Sequence, residues 1–300
     1  MFKNQTLVNR LGLTSLSLIA AANVSLSAKA EDSEVDPVCP NNPTNLIETG
    51  GFCTLTPEKY GVRIYELGLC TSNPLANNQF NKRSCFTTLS NNTPAETDMA
   101  KGQVFNLTSQ NPIKGRPEAG KYSHAYIIID PKFNLQFTYK LNNITYYSNG
   151  VNSSAASPQK NAKTTPPARP FIETLNNFGD DEGGFSPKAT AIVSGGSITA
   201  LLTDSNLKAS TSATATQRLI GVFVPTKPIE ISKSIKGLEV QFIVTDQGGG
   251  LETCADWERY FDQVDESERN GERFQGGLPD GSGEVCFFGS GPFSAKFRPF

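Results

Sequence analysis

Asp180, Asp181 and Glu182 close the run Asn176-Asn-Phe-Gly-Asp-Asp-Glu-Gly183. Carboxylates and amide carbonyls are hard oxygen donors of the kind calcium takes. Their order is not that of an EF-hand loop, so Asp180, Asp181 and Glu182 carry a calcium expectation on donor chemistry alone, beside the plainer reading of a solvated turn. Residues 252–272 hold eight acids against two bases. A glycosidase needs two carboxylates facing one cleft, and paired carboxylates are the only acid–base chemistry this chain offers. The single histidine, His124, stands between Tyr122 and Tyr126 in a strand-like run and reads as a hydrogen-bonded structural residue. Ser157-x-x-Lys160 and Ser205-x-x-Lys208 match a nucleophile pattern, but both fall in polar loops where composition produces it by chance. No Gly-x-Ser-x-Gly, phosphate-binding loop or dinucleotide fingerprint occurs. No catalytic residue is assigned, and no cofactor is expected beyond calcium.

The other reactive groups are six cysteines: Cys39, Cys53, Cys70, Cys85, Cys254 and Cys286. None forms Cys-x-x-Cys, which argues against zinc and thioredoxin-like chemistry. An even count downstream of an export signal implies three disulfides. Fifteen connectivities are open; the simplest is sequential, Cys39–Cys53, Cys70–Cys85 and Cys254–Cys286. Each such loop contributes roughly 3 kcal/mol in the chain-entropy account.

An export signal is read at residues 1–30. Lys3 and Arg10 precede the short apolar run Leu11–Ala22, and Ala28-Lys29-Ala30 has the form of a cleavage site. The run is shorter than the ~20 residues of a membrane span, and no second one follows, so no transmembrane segment is expected. The expected location is the periplasm, the cell surface or the medium. The first 30 residues hold three bases and no acid, leaving 24 bases against 29 acids beyond them. That acidic balance, without a basic cluster, argues against nucleic acid. Only 19% of residues are charged and 37% are hydrophobic. A core is affordable, and the polar surface must be mostly Asn, Ser, Thr and Gln.

The elements that would position these groups read as β-strands. Tyr60–Cys70 is the first, and its apolar parity switches near Tyr65, which suggests a bulge or burial on both faces. Further strands are expected at Gln103–Leu107, Tyr122–Ile129, Asn134–Leu141 and Ile144–Tyr147. The second and third of these are expected to form a hairpin across Asp130–Phe133. Later strands are expected at Ala189–Val193, Ser197–Leu202, Arg218–Val224, Pro228–Ser232, Gly237–Val244, Glu284–Phe288 and Phe293–Phe297, with Gly248-Gly249-Gly250 as a terminator. Trp257, Tyr260, Phe261 and Val264 share one helical face, and Gly271 suits the helix end. Residues 150–170, rich in Ser, Pro and Asn, read as a mobile loop in one β-rich domain spanning 31–300; the alternative is a linker between subdomains 31–149 and 171–300.

Tyr60-x-Val-x-Ile-x-x-Leu-x-Leu-Cys70-Thr71, with Cys85 downstream and Ala119-Gly-Lys-Tyr-Ser-His-Ala-Tyr-Ile127 later, resembles a pattern in uncharacterised exported β-sandwich-like proteins of marine bacteria. The resemblance spans roughly residues 60–141. It implies export and a sandwich, and it brings no activity and no site residue.

The expected fold is therefore mainly β: an antiparallel β-sandwich with long polar loops, disulfides and one short helix in the C-terminal region. The leading expectation for function is an exported, non-catalytic binding or surface/assembly protein. Its ligand is unknown, and its partner would be a glycan or protein met by loop aromatics such as Tyr146, Tyr147 and Phe178. The alternatives are a structural subunit of an extracellular assembly and a carbohydrate-active enzyme using paired carboxylates.

Overall fold

The computed structural model describes residues 36–46, 49, 51–75, 79–102, 104–108, 117–179, 184–254 and 283–300. The expected signal segment, the acidic triplet Asp180–Glu182 and the helix expected after Cys254 lie outside the described residues. Among those described there is no α-helical element. The strands in chain order are β1 (Phe52–Leu55), β2 (Lys59–Cys70), β3 (Cys85–Ser90), β4 (Glu96–Asp98), β5 (Val104–Thr108), β6 (Gly120–Tyr122) and β7 (His124–Ile129). There follow β8 (Lys132–Gln136), β9 (Thr138–Leu141), β10 (Ile144–Ser148), β11 (Ser153–Ser154), β12 (Ala162–Lys163), β13 (Phe171–Thr174) and β14 (Lys188–Val193). The last are β15 (Gly196–Thr203), β16 (Arg218–Pro225), β17 (Ile229–Ile231), β18 (Gly237–Ile243), β19 (Gly249–Thr253), β20 (Val285–Ser290) and β21 (Ser294–Pro299).

Strand β2 is the axis. Along one edge β7 and β8 lie end to end, and along the other β3 and β4 do the same, all four antiparallel to it. The expected hairpin of β7 with β8 is thus not formed. A two-residue hairpin turn needs positive φ at its central residues, as Asn-Gly supplies. Asp130-Pro131 has no positive φ, and a proline's fixed φ near −65° lets the chain run on extended. A true two-residue hairpin sits further on, where Asn142 and Asn143 take φ of 48° and 62° between β9 and β10. The bulge expected near Tyr65 is present: Ile64 faces Ile129 and Glu66 faces Ile128, leaving Tyr65 as the extra residue.

Because Asp130-Pro131 breaks the ladder without turning the chain, the ten-stranded sheet forks there. One, the upper branch, continues from β7 through β16 and β15 to β14, and the other, the lower branch, from β8 through β13 to β11. The sheets join early and late chain: β1 pairs with β19, β5 with β18 and β7 with β16.

Strands β7 and β16 of the upper branch are buried on both faces over most of their length. That explains why Ala125–Ile129 is apolar throughout rather than alternating. On one face Phe223 meets Phe293 and Phe297, and Phe242 meets Phe293, bringing β18 and β21 against the sheet. On the other, Tyr126, Ile128, Ile220 and Val222 make a smaller cluster under Leu75 and Phe80. On the lower branch side Phe137 stacks on Phe288, with centroids 5.1 Å apart and planes 6° from parallel. Full burial of such a ring contributes roughly 1.5–3 kcal/mol. Gly249 permits this packing, since a Cβ there would stand 2.1 Å from the Phe137 ring. The glycine triplet therefore opens a strand, β19, rather than ending one.

The sequential disulfides are the ones formed: Cys39–Cys53, Cys70–Cys85 and Cys254–Cys286. The 150–170 stretch carries β11 and β12. Its fully buried Asn161 donates to Phe288 O and accepts from Phe288 N, both at 2.8 Å.

Candidate functional site

Phe171 and Glu173 point from the same face of β13, and the register sets Glu173 opposite Phe133 of β8. A carboxylate is thereby carried into an apolar layer, and Glu173 is 0% exposed. Its Oε2 accepts the Ser290 amide at the end of β20. Among the described residues its Oε1 has no hydrogen-bond partner, and neither has Ser290 Oγ. Burial pushes the Glu173 carboxyl up to about 7. Ser290 opposes the shift through its hydroxyl, which lies close by but outside hydrogen-bonding geometry, and through its amide. Tyr60, also fully buried, donates its hydroxyl to Gly291 O at 2.9 Å. Burial, and then the charge of Glu173, hold that phenol well above its usual range.

Tyr60, Ser290 and Gly291 border a cavity of about 60 Å³ at the fork. That exceeds the roughly 10–15 Å³ one water needs. Phe133, Phe178, Leu219 and Phe293 supply its apolar wall; Tyr60 and Ser290 supply polar atoms. The shoulder that brings Phe178 inward is tied by Asn177, whose Oδ1 accepts from the amides of Gly179 and Ser186, each at 2.9 Å.

A second carboxyl–phenol cluster lies on the opposite face of the sheet. Tyr126 donates to Glu66, Thr87 bonds the Tyr126 oxygen at 2.8 Å, and Lys82 Nζ reaches Glu66 at 2.8 Å. Burial, followed by the hydrogen bond to Glu66, raises the Tyr126 phenol far above its ordinary value.

The residues singled out from sequence are placed as follows. Tyr146 and Phe178 are buried and Tyr147 is half-buried, so the loop aromatics expected to meet a partner mostly serve the interior. His124 Nδ1 lies 2.8 Å from Ser123 Oγ, whose own proton goes to Thr71 O at 3.0 Å. The histidine must then donate to the serine, the reverse of nucleophile activation. Burial lowers the His124 imidazole. Lys160 pairs with Glu284 at 3.5 Å, and the Lys208 amide closes a turn on Asp204. Glu173 was not singled out in the sequence. The available signal was its period-two spacing from Phe171, which sets an acid in an apolar phase.

No family model matches the chain, and no characterised protein or solved structure shows significant similarity to it.

Proposed function

We propose that the chain is an exported, non-catalytic binding module that holds a small ligand in the cavity at the fork. The cavity itself carries this reading. It is a concave, mostly apolar site with a few convergent polar atoms, the form small-molecule sites usually take. Three disulfides among the described residues are compatible with an oxidising compartment such as the periplasm, the cell surface or the medium. Our reading of the packing of β18 and β21 on the upper branch is an antiparallel sandwich, with the cavity beside its core. A glycan-recognition face has less support, because two of the three aromatics that would build it are buried.

The test is an NMR titration of the oxidised full-length chain with small apolar probes such as toluene. Saturable shifts confined to Phe133, Phe178 and Phe293 are expected. Absence of any saturable shift removes the cavity reading. Saturable binding on a glycan array, with the cavity signals unmoved, transfers the function to the surface loops.

A further inference from the structure

The polar end of the cavity has more hydrogen-bonding capacity than the protein uses. A serine hydroxyl has one proton and two lone pairs, and Ser290 Oγ commits none of them although Ser290 is 4% exposed. Tyr60 gives its proton to Gly291 O and keeps its oxygen as an acceptor at the cavity wall. Glu173 stands behind Ser290, with Oε1 unpartnered and close to Gly289, where an added Cβ would lie 3.2 Å from it. Buried polar atoms are ordinarily paired, so each orphan calls for an account. Of these orphans Ser290 Oγ belongs to a residue that lines the cavity, and it points to a partner from outside.

The surroundings limit what that partner can be. An anionic head would meet the Glu173 carboxyl with no cation beside it among the described residues: the groups acting on Glu173 are its own burial and Ser290. An ammonium has three protons to place, and among the described residues the polar side chains of the lining are Tyr60 and Ser290. A hydroxyl both donates and accepts, which matches a serine with both capacities and a phenol oxygen with one. The rest of the wall is aromatic and aliphatic and takes a hydrocarbon body.

We propose that the cavity binds a small hydroxyl-bearing molecule of the phenol or short-alcohol class, its hydroxyl on Ser290 Oγ and its body against Phe133, Phe178 and Phe293. The inference rests on the cavity reading above and adds the chemistry of the ligand.

The experiment compares four probes of one size on the oxidised full-length chain by calorimetry or NMR: phenol, toluene, benzoate and benzylamine. Phenol is expected to bind tightest. Ser290→Ala removes a hydroxyl that makes no bond, so the fold should persist, as a melting curve verifies. Its affinity for phenol should fall about tenfold, the worth of one net hydrogen bond, while its affinity for toluene stays unchanged. Ala191→Leu, which fills the cavity wall, should abolish both. Toluene binding as tightly as phenol, Ser290→Ala leaving phenol unaffected, or tighter binding of benzoate or benzylamine would overturn the hydroxyl assignment and leave the cavity reading standing. Failure of all four probes would overturn both.

Discussion

Two carboxyl–phenol pairs, on opposite faces of one sheet, have been built to opposite ends. Around Glu66 every group has an answer: Tyr126 and Thr87 reach its oxygens, and Lys82 supplies the opposite charge. This pair is at the rim, with Glu66 side-chain exposure of 15% and Lys82 of 41%. Around Glu173 there is no cation among the described residues, one oxygen is orphaned, and the nearby phenol of Tyr60 is turned to a backbone carbonyl instead. The same two side-chain types thus make a closed structural knot in one place and an unsatisfied surface in the other. Unspent hydrogen-bonding capacity, more than burial or residue type, separates a candidate site from scaffold.

The contrast can be broken most decisively through pH. The folded value of Glu173, about 7, exceeds its ordinary 4.5. A raised acid favours the folded state below about 4.5, and that contribution is lost as pH rises through about 7. The loss amounts to about 3 kcal/mol. Glu173→Gln keeps an acceptor for the Ser290 amide and removes the ionisation. Unfolding free energies from urea titrations at pH 4 and pH 8.5 should therefore fall with pH in the native chain by about that much more than in the variant. Equal slopes would mean that Glu173 does not ionise against a cost. The next effect belongs to the satisfied pair: Glu66→Leu leaves the hydroxyls of Tyr126 and Thr87 and the ammonium of Lys82 without their acceptor. A loss of about 2 kcal/mol is expected at pH 7. A neutral result there would erase the distinction. The smallest effect sharpens it. Ser290→Ala, removing a hydroxyl with no partner, should change stability by less than about 0.5 kcal/mol in either direction. A loss above about 1 kcal/mol would show the hydroxyl to be bonded.

Much of the strand inventory was readable because the apolar periodicities were long. Gly237–Ile243 alternates cleanly, and Ala125–Ile129 does not because both its faces are covered. The disulfides were readable from separation alone, since the nearest neighbours in sequence are the ones joined. The fork was not. Asp130-Pro131 has the length of a turn, and only the pairing of both β7 and β8 with β2 shows that the chain runs on. Gly249 carried a packing requirement set by Phe137, which is distant in sequence. The site was least legible of all. Glu173 lies in a four-residue strand whose burial depends on β8 and β20, and nothing local announces that its neighbours will be Phe133 and Ser290.

The pairing of β1 with β19 sets a clock. Phe52 faces Glu252, so the first of the described strands waits for Gly249–Thr253 before its ladder can form. At about 5–20 residues per second of synthesis that wait is roughly 10–40 s. For β5 the partner is β18, also late in the chain. The nascent chain is thereby kept from closing two of its sheets while it is being made. A polypeptide paired in this way commits the ladders of β1 and β5 only once its last quarter is being made.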